Sequence, residues 1–440
     1  MSDALRSYPD KLEVKPLARP PSATVSVPGS KSITNRALVM AALACRRGEC
    51  LLTNVLRSED TSMMTAALRS LGFQVESGDE SSTTMRVNSP RRDAVIPNAR
   101  AELFVGNSGT TMRFLTAMVA LGQGRYRLDG IPRMRERPIE DLLHALRQLG
   151  VNACSELKNG CPPVMIEAQG LRGGSVRINS DVSSQFLSGL LMAAPLADDD
   201  VVIDLTGPPV SEPYVVMTVE MMRRAGIKVQ DHLAGRYSIP GRQAYSRYHF
   251  NIEVDASAAS YFFGAAAVSG GKVTVGTAIE DPRMASLQGD YQFLDLLERM
   301  GSKVQRKGYS VTVHGHRFRG IEADMNAISD TVMTLAAVAC FADGPTTIRN
   351  VAHIRHKETD RLAALATELR RVGAEVEEFA DGLTITPRPL RGATVQTYND
   401  HRMAMSLALV GLRVPGVAIA DPGCVAKTYP GFFADLEKLR

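Results

Sequence analysis

The chain has 440 residues, 44% of them hydrophobic, enough for a large buried core divided between two domains. Lys and Arg number 51 against 47 Asp and Glu, a net charge of +4, which excludes a nucleic-acid coat, and the absence of Trp argues against a base-stacking platform. Six Cys with no C-x-x-C pair point to a reducing compartment rather than a disulfide framework.

The chain opens on MSDALRSYPDKLEVKP, which carries early acids and no apolar signal core, so a cytoplasmic protein is expected. No apolar stretch is long enough to span a membrane. LEVKPLARPPSATVSV reads as short strands, and PGSKSITNR follows, from Pro28 to Arg36. A nucleotide P-loop places Gly directly before its Lys, whereas Ser30 precedes Lys31 here. Gly29 and Ser30 still permit a tight turn into a helix whose free N–H groups and dipole favour an anion, and Lys31 and Arg36 add two cations. A capped helix with a solvated Lys is the competing reading of this stretch alone.

That helix is the first of six that are apolar on nearly every face. They start at Ser32, Gly109, Ser183, Ala256, Ser329 and Asp400, about 74 residues apart, and are expected to be buried. Amphipathic helices lie between them. Each ends at a glycine (Gly72, Gly150, Gly226, Gly301, Gly373) followed by strand-forming residues, as a left-handed cap requires. The sixth unit is incomplete, because GFFADLEKLR ends the chain. The N-terminal stretch is expected to supply its missing strands, which ties residues 1–28 to the C-terminal half. The predicted domains are 29–253, and 1–28 with 254–440, with a hinge near 28–29 and 253–255 and a cleft between the halves. A helical solenoid is disfavoured by β-rich segments such as KVTVG and LTITP.

Polar groups recur at the starts of the buried helices: GNSGTTMR (Gly106–Arg113), DVSSQF (Asp181–Phe186), Ser329–Asp330 and Asn399–Arg402. Either Asp330 or Asp400 alone could be a simple N-cap. Only the fourth start, DASAAS, reads as chemically quiet. IPRMRERP holds Arg133, Arg135 and Arg137, with Pro138 suited to the first turn of the next helix. HIRHKETDR holds Arg355, Lys357, Glu358 and Arg361, and CVAKTYP holds Lys427. Arg forks match phosphates and carboxylates, although as a solvated run such residues would contribute little. His353 and His356 have metal-like spacing without a third ligand, so no metal is expected.

Taken together, PGSKSITNRAL, LFVGNSGTTMR, DGIPRMRERPI, DVSSQFLSGLLMAAPL, DASAASYFF, KETDRL, TYNDHRMAMS and DPGCVAKTYP resemble the EPSP synthase family of enolpyruvyl transferases, nearly end to end. The resemblance implies an α/β fold of two domains. Each would hold three βαβαββ repeats, with buried helices pointing into an interdomain cleft. It implies transfer of the enolpyruvyl group of phosphoenolpyruvate to the 5-hydroxyl of shikimate 3-phosphate, releasing phosphate, as the sixth step toward chorismate.

By the same resemblance, Lys31, Ser32, Arg36, Ser183, Ser184, Gln185, Ser211, Asp330, His353 and Lys357 bind shikimate 3-phosphate. Lys31, Asn107, Gly109, Arg137, Gln185, Glu358, Arg361, His401, Arg402 and Lys427 surround phosphoenolpyruvate. Asp330 is expected as the base toward the hydroxyl, Glu358 as the proton-transfer group at C3, and Lys31 as a stabiliser of the leaving phosphate. No cofactor is implied. Glyphosate is expected to compete with phosphoenolpyruvate, and the protein to be a monomer without membrane or nucleic-acid partners. The sequence departs from the family pattern at His353, where many relatives have Asn, at Ser108 for a common Ala, and at Phe114 for a common Pro. The sister family acting on UDP-N-acetylglucosamine usually has a Cys in the loop corresponding to IPRMRERP, which has none here. A non-catalytic polyanion binder would not need Asp330 and Glu358.

Overall fold

In the computed structural model, residues 8–79, 82–232, 235–246, 249–277 and 286–440 are described. The first seven residues of the expected N-terminal segment lie outside them. The described helices run α1 Lys31–Ala44, α2 Glu59–Ser70, α3 Gly109–Val119, α4 Glu140–Gln148, α5 Ser184–Ala193, α6 Glu212–Arg224, α7 Ala256–Ser269, α8 Phe293–Met300, α9 Val332–Ala339, α10 Arg361–Arg371, α11 His401–Gly411 and α12 Phe432–Glu437. The odd-numbered helices are the apolar ones. Every residue of α3, α9 and α11 is buried, as their all-round hydrophobicity dictates. The chain divides into two compact units, one Ser30–Ile252, the other the segment through Gly29 together with Glu253–Arg440.

In the Ser30–Ile252 unit, Arg100–Phe104, α3, Gln123–Asp129, α4, Asn152–Ser155 and Val164–Gln169 form one contiguous βαβαββ repeat. Its first two strands pair in parallel across the helix, and the last two add antiparallel. Gly174–Asn179 through Arg236–Ile239 repeats this pattern. The first repeat takes its leading strand from the far end of the unit, because His249–Asn251 pairs in parallel with Cys50–Thr53. Helix α3 packs against α1 and α5.

In the other unit, the repeat from Glu322–Asp324 to Gly382–Thr386 is contiguous. The fourth repeat borrows its leading strand from the N-terminal segment, where Ser22–Val25 pairs with Lys272–Gly276. Only Lys11–Glu13 joins the sixth sheet, antiparallel to Ala418–Ala420, which leaves that sheet with three strands among the described residues. The N-terminal stretch is thus shared between the fourth and sixth repeats rather than given wholly to the sixth. Helices α7, α9 and α11 pack on one another. Gly264 permits the approach, since a Cβ there would meet Leu409, Thr334 and Val338 at 3.0–3.2 Å. The hydroxyls of Ser260, Thr334 and Ser406 pair across this otherwise apolar seam.

Candidate active site

In the Ser30–Ile252 unit, Ser30 rather than Ser32 starts α1, its hydroxyl accepting from the Ile33 amide. Lys31 is therefore the first helical residue and is 9% exposed. Arg36, one turn on, is buried. Its Nε donates to Thr218 Oγ1 (2.7 Å), Nη1 to the Ser32 carbonyl (3.0 Å), and Nη2 to Ser188 Oγ (3.2 Å) and the Tyr214 carbonyl (3.1 Å). Its guanidinium lies 5.0 Å from the centre of the Phe114 ring. These acceptors are all neutral. Burial lowers the Arg36 pKa to about 10 against a smaller opposing effect of Tyr214. A buried cation held by neutral groups favours an incoming anion.

At the start of α3, Ser108 caps the helix by accepting from Thr111 N (3.2 Å). Arg113 Nη1 donates to the Gly109 carbonyl (3.4 Å), and Arg137 Nη1 to the Asn107 carbonyl (3.1 Å) and Oδ1 (3.3 Å). A Cβ on Gly109 would land on Arg137 Nη2. Helix α4 begins at Glu140, so Pro138 lies ahead of its first turn instead of within it. Arg137 is buried at the end of the 3-10 turn Pro132–Glu136, whereas Arg133 and Arg135 pair outward with Glu136 and Asp129. Ser183 caps α5 through the Gln185 amide (3.2 Å), and Gln185 Nε2 reaches Thr110 Oγ1 (3.4 Å), tying α5 to α3. Ser184 is buried and Ser32 half-buried. Ser211, also buried, precedes α6 with a left-handed φ of 53°, an uncommon state for a residue with a Cβ. Cys161 falls within electrostatic reach of Arg113 and Glu136, but burial pushes its thiol up, the opposite of an activated nucleophile.

In the other unit the acids and bases form one chain of ion pairs. Lys427 Nζ lies 3.0 Å from Glu358 Oε1, and Glu358 Oε2 accepts from Arg361 Nη2 (2.8 Å). Arg361 Nη1 reaches Asp330 Oδ1 (3.2 Å), and Asp330 Oδ2 accepts from Arg402 Nη2 (2.6 Å). Asp400 caps α11 through the Arg402 amide and accepts from Arg361 Nε (2.8 Å). Burial opposes the Arg361 charge, but Asp400, Glu358 and Asp330 outweigh it and hold the guanidinium above its ordinary pKa. Asp330 is not a cap: it sits in the 3-10 turn Ser329–Thr331 ahead of α9. Three carboxylates and three cations thus balance in a buried network, where charge-assisted bonds are strong and fixed in direction.

His353 is buried in the 3-10 turn Ala352–His356. Burial, then Lys357, lowers its pKa to about 3, so the ring is neutral. His356 is exposed and Lys357 half-buried. His401 is wholly buried in the first turn of α11, with Nδ1 3.7 Å from Asp400 Oδ1.

The fourth helix start is not chemically quiet. Tyr261 of α7 places its hydroxyl 3.3 Å from Arg402 Nη1, and Ser257 bonds Asp290, whose carboxyl is pushed up by burial and then by Asp330. Asp400, which the Asp-His-Arg run marked as a possible cap, is both a cap and a partner of Arg361. Tyr261 is the participant that the sequence did not mark, since nothing local distinguishes a tyrosine inside an apolar helix.

Residues 18–436 match the family model described as EPSP synthase (3-phosphoshikimate 1-carboxyvinyltransferase). A protein of Nostoc punctiforme named 3-phosphoshikimate 1-carboxyvinyltransferase is 47% identical over 96% of this chain and 98% of its own. One of the same name from Shewanella denitrificans is 46% identical over 94% and 96%. A solved EPSP synthase structure from Acinetobacter baumannii shares the fold, with a TM-score of 0.78 at 24% identity over 98% of both chains.

Proposed function

The chain belongs to the EPSP synthase (3-phosphoshikimate 1-carboxyvinyltransferase) family, and from that premise we propose that it transfers the enolpyruvyl group of phosphoenolpyruvate to the 5-hydroxyl of shikimate 3-phosphate. The observation that carries this reading is the buried chain Lys427–Glu358–Arg361–Asp330–Arg402, which combines anion receptors with two carboxylates able to accept protons. In the other unit, Lys31, Ser32, Arg36, Ser183, Ser184, Gln185 and Ser211 supply cations and hydroxyls suited to a sugar-like phosphate. Lys357 and His353 complete that set as a cation and a neutral ring. Asn107, Gly109 and Arg137 with Arg361, Arg402 and Lys427 receive the second, smaller polyanion. His401, having no exposed surface, backs Asp400.

The reaction needs three proton movements: onto C3, off the hydroxyl, and off C3 again. The 5-hydroxyl oxygen bonds C2 of phosphoenolpyruvate as C3 gains a proton and the hydroxyl proton passes to a base. Phosphate then leaves C2, and the proton returns from C3 to restore the double bond. Asp330, which pairs with Arg361 and Arg402, is the base we assign to the hydroxyl proton. The Glu358–Lys427 pair delivers the C3 proton and takes it back, while Lys31 and the arginines stabilise the departing phosphate. The enzyme is read as a cytoplasmic monomer without cofactor, inhibited by glyphosate in competition with phosphoenolpyruvate. No described helix is long and apolar enough to cross a membrane.

The test is metal-free phosphate release from phosphoenolpyruvate with shikimate 3-phosphate or UDP-N-acetylglucosamine as acceptor. Release with the first alone is expected, and Asp330→Asn and Glu358→Gln should each lower kcat by about 10²- to 10⁴-fold. Near-normal turnover in both variants would remove the proton-transfer assignment. Release with the sugar nucleotide alone would reassign the substrate.

A further inference from the structure

The segment 396–400 leads into α11 and delivers Asp400, His401 and Arg402. It contains two consecutive left-handed residues that are not glycine, Tyr398 (φ 55°) and Asn399 (φ 52°). Asn adopts that conformation more readily than most residues, but a bulky Tyr holds it only where its surroundings impose it. Two residues of α10 grip the segment on either side. Arg361, the first residue of the helix, holds Asp400 through Nε (2.8 Å). Glu368, two turns later on the same helical face, has no exposed surface. Its Oε2 accepts from the Gln396 amide (3.0 Å) and its Oε1 from the Tyr398 hydroxyl (2.7 Å). Arg371 neutralises it, at 2.8 Å from Oε2 and 3.3 Å from Oε1. The left-handed turn, with Tyr398 its strained member, therefore lies between two fixed points on one helix.

We propose that Glu368 and Tyr398 are positioning residues for the phosphoenolpyruvate half of the reaction. Their bond holds the left-handed turn in place, so that Asp400 keeps the guanidinium of Arg361 and the start of α11 in register. Neither residue needs to touch substrate. The inference rests on the reading that Arg361 and Arg402 receive phosphoenolpyruvate. If the tie loosens, the turn relaxes toward ordinary backbone angles and carries Asp400 with it. The arginines then lose their aim by a fraction of an ångström, which binding and catalysis register steeply.

Tyr398→Phe keeps the ring and removes only the hydroxyl. The expected result is a KM for phosphoenolpyruvate raised about 5- to 10-fold, with the KM for shikimate 3-phosphate within about twofold and an unchanged thermal midpoint. Adding Asn399→Gly should recover part of that loss, because glycine adopts the left-handed angle without being forced. Glu368→Gln, which sets an amide NH2 against the Gln396 or Arg371 donors and removes the counter-charge of Arg371, should raise the KM for phosphoenolpyruvate at least as far as Tyr398→Phe. Arg361→Lys serves as the control. If it raises the KM for phosphoenolpyruvate while Tyr398→Phe does not, the positioning role is wrong and the site assignment stands. If neither variant moves it, both are wrong. An equal rise in both KM values with a lower thermal midpoint would mark a purely structural role and overturn the proposal.

Discussion

At Gly109 the missing side chain is what admits Arg137: a Cβ would overlap Nη2 of that guanidinium and crowd Nη1 of Arg113 at 2.9 Å. Gly109→Ala is therefore expected to push Arg137 aside. The KM for phosphoenolpyruvate and the inhibition constant for glyphosate should both rise, by roughly 10- to 100-fold, with shikimate 3-phosphate binding unchanged. Steady-state kinetics with a glyphosate titration checks this, and an unchanged KM for phosphoenolpyruvate would show that Arg137 does not reach the ligand. His353 gives a prediction in pH. Its folded pKa, about 3 against an ordinary 6.5, is depressed by burial, so the unfolded chain binds the extra proton first. Stability contributed by this residue is then intact above about pH 6.5 and falls as the pH drops toward 3, by at most about 1.4 kcal/mol per pH unit. His353→Asn should flatten that slope in urea unfolding between about pH 4.5 and 6.5, and parallel slopes would contradict the neutral buried ring. Lys31, Arg36 and Gly109 stood out as candidates because each lies in a polar run at the start of a buried helix, and Glu358 because it sits among the cations of the loop before α10. Tyr261 and Glu368 did not, because an apolar or charged helix face looks the same whether its polar groups meet water or other parts of the chain.

Among the elements, the alternation of apolar and amphipathic helices was readable from hydrophobic period and terminal glycines, and the glycines at 72, 150, 226, 301 and 373 all have positive φ. What the period could not set was the first turn of each helix. Ser183 and Asp400 became caps, α1 began at Lys31, and a 3-10 turn preceded α9. Those shifts matter because a one-residue change decides which group is a cap and which side chain points along the helix. Ser108 illustrates the point. Where the family resemblance leads one to expect Ala, its hydroxyl caps α3 and also pairs with Thr111 Oγ1 (2.7 Å). Ser108→Ala should lower the unfolding free energy by about 1 kcal/mol while the KM for phosphoenolpyruvate stays within about twofold. Chemical denaturation and kinetics on the same sample separate the two effects. A large change in KM without a change in stability would make Ser108 a ligand-contacting residue instead. Phe114, at a position where Pro is common, faces the Arg36 guanidinium instead of solvent, which no helical pattern announces.

For the whole chain, repeat counting gave six units but could not say which strand completes which sheet, because parallel partners far apart in sequence leave no local signature. The answer bears on how the chain can be cut. The Ser30–Ile252 unit holds every strand of its three sheets, including His249–Asn251, which sits at the extreme end of the segment and pairs back onto Cys50–Thr53. The other unit depends on chain supplied from before residue 30. Without it, Lys272–Gly276 becomes an open edge, the sixth sheet loses Lys11–Glu13, and the buried Val14, Val25 and Val27 leave the core. Residues 30–252 expressed alone should therefore unfold cooperatively, with a near-ultraviolet circular dichroism signal that disappears in one transition. Residues 253–440 alone should show exposed apolar surface by dye binding and no such signal, and a synthetic peptide of residues 8–29 added in trans should restore it. Cooperative unfolding of 253–440 without the peptide would mean that the two borrowed strands are dispensable and that the unit's stability lies in the packing of α7, α9 and α11 alone.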